Sequence, residues 1–192
     1  VTAPVVDNNK KLIGRITVDE MLDVIREESE ADMLNMAGLK EEEDLFAPII
    51  DSFKNRWMWL VINLCTAFVA SRVIGMFEGS IEKIVALAAL MPIVAGIGGN
   101  SGNQTITMIV RSLAMGQLNL SQSGRLLRKE LGVALLNGII WGSVMGVVSY
   151  LLYGSIGIGL VMVTAMTLNL VLAATMGVLL PIIIEKFGRD PA

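Results

Sequence analysis

Histidine is absent from this sequence, and cysteine occurs once, as Cys65. Without histidine there is no imidazole general base and no His-rich zinc site. A lone cysteine excludes an internal disulfide framework and reads as an inert, buried thiol. No nucleophile–base pair, nucleotide loop or His/Cys metal cluster can be assembled, so no enzyme is expected. Residues Val1–Asp7 lack the basic stretch and apolar run of a secretory signal, and there is no initiator Met. The chain starts mid-pattern and is expected to be part of something longer. The most telling scarcity is charge: Ile84–Val110 carries none, and Leu131–Ile184 carries none over 54 residues.

The charge that is present is segregated. Residues 1–54 hold 6 Lys/Arg against 13 Asp/Glu, a net of −7, whereas residues 55–192 hold 9 against 5, a net of +4. An acidic polar segment therefore leads into an apolar body, and mean hydropathy over the chain is +0.66. A bilayer core of about 30 Å needs roughly 20 apolar helical residues. Four spans fit, at about 57–77, 84–110, 131–152 and 160–184, with the Gly-rich stretch Tyr153–Gly159 breaking the longest run. Lys54 and Arg56 precede the first span, Arg111, Arg125, Arg128 and Lys129 lie between the second and third, and Lys186 and Arg189 follow the fourth. Positive residues favour the cytoplasm, which predicts both ends of the chain inside. Trp57 and Trp59 stand where an interfacial aromatic belt belongs. Gly138, Gly142 and Gly146 form a small-residue stripe whose expected use is close helix packing.

The informative stretch lies in the second span, from Pro92 through Gly96, Gly98, Gly99, Asn100, Ser101, Gly102, Asn103 and Gln104 to Thr105. Asn and Gln side chains at membrane depth need partners that lipid does not offer. One reading is helix packing with interhelical amide hydrogen bonds, which Gly98-x-x-x-Gly102 alone would satisfy. The other is a polar pathway lined by carbonyls and amides, which three amides in five residues favour. Neutral hard oxygens suit a hydrated hard cation such as Mg²⁺ and do not suit soft metals. Yet no Asp or Glu falls in any of the four apolar cores, where a divalent-cation pore is expected to own one. That leaves either a neutral substrate or a missing piece.

The run Gly98-Gly99-Asn100-Ser101-Gly102-Asn103-Gln104, followed by Ile109-Val110-Arg111-Ser112-Leu113-Ala114, resembles the signature of the MgtE-type magnesium channel and transporter family. Met36-Ala37-Gly38, Glu43-Asp44-Leu45, Lys129-Glu130-Leu131-Gly132, Leu180-Pro181 and Gly188-Arg189-Asp190-Pro191-Ala192 agree with it, and the resemblance covers essentially the whole chain. Ala3-Pro4-Val5-Val6-Asp7 with Leu12-Ile13-Gly14-Arg15-Ile16-Thr17 and Asp19 resembles the second half of a CBS motif. The resemblance implies an all-α polytopic membrane protein: a partial CBS motif at 1–26, an acidic connecting helix and linker at 27–54, and a transmembrane domain at 55–192. It also implies a fifth membrane helix that lines the pore and carries an intramembrane Asp, and this chain stops before it.

Glu20, Asp23, Glu27 and Glu30 fall on one stripe of a predicted helix, and Val18, Leu22 and Ile25 form an apolar counter-stripe able to seat it on a sheet. By themselves these carboxylates read as a solvated acidic surface. The resemblance implies more. Glu28 and Asp32 match connecting-helix Mg²⁺ ligands, Asp190 matches a linker ligand, and Glu20 and Asp23 fall in the CBS-side region. There, bound Mg²⁺ holds the pore shut.

The expected function is magnesium ion transport through a Mg²⁺-gated homodimeric channel in the cell (inner) membrane, N-terminus cytoplasmic, with Co²⁺ as a candidate competitor. The expected pore lining is Gly98, Gly99, Asn100, Gly102, Asn103 and Gln104, contributing mainly backbone oxygens and hydrated-ion contacts. Mg²⁺ serves as cargo and regulator, the partners are a second copy and the lipid bilayer, and no nucleic acid is involved. The alternatives are a secondary transporter of a small polar solute, using the second span as a broken helix, or a non-conducting membrane fragment.

Overall fold

The computed structural model describes residues 2–39, 46–118 and 122–188, and the chain divides into two compact units at residues 71 and 72. The first unit begins with strands β1 (Thr2–Val6) and β2 (Leu12–Thr17), an antiparallel pair with a register shift at Val5/Val6. Their turn is closed by Asp7, whose Oδ1 accepts from the backbone N–H groups of Asn9 and Lys11, both at 2.8 Å. Helix α1 (Val18–Met36) follows without a gap. Thr17 and Glu20 form a capping box: Glu20 N–H donates to Thr17 Oγ1 at 3.3 Å, and Thr17 N–H donates to Glu20 Oε2 at 2.6 Å. The helix ends in a Schellman turn, with Leu39 N–H on the Leu34 carbonyl and Gly38 in the left-handed region at φ 74°.

Helix α1 runs unbroken through residues 26 and 27, where the expected CBS piece meets the expected connecting helix. One expectation needs correction: the counter-stripe of Val18, Leu22 and Ile25 is 43–57% exposed. A two-stranded ribbon is too narrow to cover a helix face, so the stripe is not seated by the strands of this chain. A ribbon and one helix do not by themselves establish a CBS motif. Helix α2 (Ile49–Gly75) starts eight residues before the predicted first span and buries none of its residues.

The second unit holds the short α3 (Glu78–Lys83) and three long helices, α4 (Val85–Ala114), α5 (Ser123–Tyr153) and α6 (Ile156–Lys186). With α2, these three are long and apolar enough to cross a membrane. The break between α5 and α6 is only Gly154-Ser155, not the seven residues expected. Gly154 supplies the left-handed turn at φ 64°, and its N–H bonds to the Tyr150 carbonyl at 2.8 Å. The later glycines enter the helix because one of them, Gly159, is used for packing.

Helix α6 is the middle of the unit. Its face of Gly159, Val163 and Thr167 meets Gly146, Gly142 and Gly138 of α5, which makes the two helices antiparallel. A Cβ on Gly138 would lie 2.6 Å from Thr167 Cα, and one on Gly146 would lie 2.9 Å from the Gly159 carbonyl oxygen. The helices therefore touch backbone to backbone, as small-residue stripes permit. Another face of α6, Asn169, Ala173 and Gly177, meets Gly98, Gly102 and Thr105 of α4, with the numbering rising together. Those two helices are parallel. The C-terminal ends of α4 and α6 and the N-terminal end of α5 consequently gather at one side, with Arg111, Arg125, Arg128, Lys129 and Lys186.

Candidate functional site

The segment singled out above, Pro92 to Thr105, lies in the middle of α4, which stays helical throughout despite its glycines and proline. Two consequences follow from that regularity. The broken-helix arrangement of the alternative transporter reading is not what α4 adopts. The backbone carbonyls of this stretch also serve the helix's own ladder, which leaves each of them one lone pair for a further partner. What α4 offers most fully outward is side chains.

The two faces of α4 divide the predicted lining residues. Gly98 is buried beneath the Asn169 side chain, and a Cβ there would collide with its amide. Gly102 faces Ala173 of α6, where a Cβ would sit at an ordinary 3.6 Å. Both glycines lie on the side facing α6, and Gly98 is the one whose missing Cβ the packing requires. Gly99 has open space around its Cα, and Asn100, Asn103 and Gln104 are exposed on the side turned away from α6. Thr107 and Arg111 extend this side by one and two turns. Toward the C-terminal end of α4 it deepens into an open groove of about 600 Å³, lined by Asn103, Gln104, Thr107, Arg111, Ser112 and Gln117 among others.

Two polar residues of the membrane unit escaped the sequence reading. Asn169, the one amide of α6, donates from Nδ2 to the Val94 carbonyl of α4 at 2.6 Å. An isolated Asn in an uncharged span is the available signal, weaker than the denser cluster in α4. Glu130 is 7% exposed and pairs with Lys129 Nζ at 3.0 Å. It sits one residue before the predicted third span, but α5 begins at Ser123 and carries it on the same buried stripe as Ala134, Gly138, Gly142 and Gly146. A buried carboxylate of this kind is costly to unpair.

The candidate regulatory residues are placed less completely. Asp190 and the side chains of Glu28 and Asp32 lie outside the described residues. The Asp23 side chain is exposed on α1. Glu20 is engaged by Thr17, and those hydrogen bonds, backbone first, hold its carboxyl below the ordinary range. A depressed folded-state value means that the cap contributes above the unfolded value and is lost as pH falls through the folded one. Both bonds from Thr17 end on Oε2 of Glu20. Among the described residues, no three acidic, His or Cys side chains gather into a metal cluster.

A family model described as "MgtE: Divalent cation transporter" matches residues 91–192, more than half of the chain, including the whole amide-bearing stretch. The chain belongs to the MgtE family. Three curated MgtE relatives, each named "Magnesium transporter MgtE", align over nearly all of it. That of Thermus thermophilus is 35% identical over 98% of this chain. Those of Enterococcus faecalis and Bacillus subtilis are 31% and 29% identical over 100% and 98% of it. In each case the chain covers 42% of the relative, so it spans about two fifths of the length of these MgtE proteins. MgtE is a family of transporters, and four apolar helices make this member a multi-pass membrane protein.

Proposed function

We propose that this chain forms one wall of a pathway that conducts Mg²⁺ across the membrane. The observation that carries the reading is the amide-bearing face of α4: Asn100, Asn103, Gln104 and Thr107 lie opposite the α6 interface, at membrane depth. Hydrocarbon leaves such groups unsatisfied at a cost of several kcal/mol each, roughly, so water or protein covers this face. Mg²⁺ dehydrates reluctantly and keeps several waters. Neutral amides exchange hydrogen bonds with those waters without holding the ion too tightly to leave. Gly99 keeps the face low, while Gly98 acts from behind by admitting the Asn169 side chain of α6. The ion is the one named for the relatives, and it moves down its electrochemical gradient. No catalytic step is involved.

In this reading the working unit is a homodimer in the cell (inner) membrane. The basic residues gathered at one end of α4, α5 and α6 support a cytoplasmic N-terminus. Cytosolic Mg²⁺ shuts the pathway by binding carboxylates at Glu28, Asp32 and Asp190, with Asp23 and Glu20 adding negative potential. The unbroken course of α1 supports this, because residues 28 and 32 of one helix lie one turn apart. A bound cation relieves the repulsion among these carboxylates and stabilises the closed arrangement by its differential affinity for it.

Mg²⁺ flux into proteoliposomes of the full-length protein tests the pathway. Asn103→Leu should lower it roughly tenfold, the effect of about 1.4 kcal/mol on a barrier. Wild-type flux would remove Asn103 and its face from the route. For regulation, Asp32→Ala should raise the Mg²⁺ concentration that suppresses flux several-fold, and an unshifted inhibition curve would sink the sensor.

A further inference from the structure

We infer that Asn169 is a positioning residue for transport: it fixes the rotation of α4 about its own axis, so that the amide face points away from α6. The inference rests on the pathway reading above. It begins with how α6 handles its polar side chains. Thr164, Thr167 and Thr175 donate to the carbonyls of Leu160, Val163 and Val171, one turn back on the same helix, at 2.9, 2.8 and 2.7 Å. These local bonds satisfy a hydroxyl without constraining any neighbour. Asn169 is spent differently. Its Nδ2 crosses to the Val94 carbonyl of α4 at 2.6 Å. Among the described residues of α4, α5 and α6, no other side chain hydrogen-bonds from one helix to another.

The place it reaches is specific. The Val94 carbonyl is the acceptor that the helix ladder offers to the Gly98 N–H, and its second lone pair takes the amide. Gly98 has no Cβ, and that space is where the Asn169 side chain lies. Pro92, two residues before Val94, removes the ladder donor that the Ala88 carbonyl would receive, one turn before the external bond. The rest of the interface provides no comparable anchor. Gly102 against Ala173 and Thr105 against Gly177 are contacts between small groups. Such contacts favour close approach but resist rotation weakly. A turn of α4 by one residue, about 100°, would swing Asn103 and Gln104 out of the pathway face. A directional bond in a medium without competing water resists that turn.

The test uses labelling and flux together in proteoliposomes of the full-length protein in a Cys65→Ser background. Cysteines introduced singly by Asn103→Cys and Thr105→Cys report the open and the α6-facing sides of α4 to a charged, membrane-impermeant thiol reagent. With Asn169 present, the first should label much faster than the second. Asn169→Leu should reduce the ratio of the two rates roughly threefold to tenfold, the scale of one interhelical hydrogen bond in a membrane. Mg²⁺ flux in the same background without the added cysteines should fall in parallel. Asn169→Asp adds a direction that a mere packing role would not produce. A protonated acid can donate to the Val94 carbonyl and an ionised one cannot, so labelling ratio and flux should recover as pH falls. Were Asn169 itself lining the route, the ionised acid would attract cations and flux would rise with pH, which overturns the inference. A wild-type labelling ratio in Asn169→Leu overturns it as well. If Asn103→Leu retains wild-type flux, the pathway reading fails on its own, and the labelling ratio still decides the positioning. If Asn169→Leu does not insert, Asn169→Asp compared at low and high pH decides.

Discussion

Helix α6 makes two interfaces, and both use glycines four residues apart. Against α5, Gly138, Gly142 and Gly146 bring backbones together, and the opposite side of α5 shows Leu136, Ile140, Val144 and Val147. Against α4, Gly98 makes room for the Asn169 side chain and Gly102 faces Ala173 at an ordinary distance, and the opposite side shows Asn100, Asn103, Gln104 and Thr107. The spacing is alike, but only α5 meets α6 backbone to backbone. The far face differs too, apolar in one helix and amide-bearing in the other. A glycine stripe thus says that two helices approach closely and nothing more. The proposed pathway lies on the side away from it.

Substitutions at the glycines separate the two cases. The largest effect is expected for Gly138→Ala, because its Cβ would meet the Thr167 backbone 2.6 Å away and neither helix can yield without separating. Overpacking of this kind costs about 1–3 kcal/mol. Thermal unfolding in detergent should show a clear fall in Tm, and an unchanged Tm would erase the claim that α5 and α6 touch at their backbones. The smallest effects are expected on α4. Gly102→Ala places its Cβ at an ordinary 3.6 Å from Ala173, and Gly99→Ala places its own in open space. Both should change stability by no more than about 0.5 kcal/mol in the same assay. They should part in flux: Gly102→Ala stays near wild type, and Gly99→Ala, which adds bulk to the amide face, lowers it. Equal flux in the two would blur the distinction between the faces.

Much of this was legible beforehand, for local reasons. The apolar runs announce four membrane helices through their length and lack of charge. Thr17 and Glu20 stand at the spacing of a capping box, and the helix starts there. The glycine after Tyr153 marks the turn, although its extent was overestimated because glycines also serve helix packing. Gly98, Gly99, Gly102 and the amides beside them look alike as a cluster. A single lining is what they suggest, because composition carries no information about which side of α4 is covered. Glu130 falls outside the apolar run, which ends at the first charge, whereas a helix continues past one that is paired.

By itself, then, the sequence determined the membrane setting, the number of apolar helices present, the family and the short stretch on which the proposed pathway rests. Each of these follows from hydropathy, charge or a contiguous motif. Only the tertiary structure decided the sorting of that stretch into a packed face and an open one. A helix has two sides, and the one that meets α6 is chosen by contacts with residues more than seventy positions away, Asn169 on Val94 and Gly98 first among them.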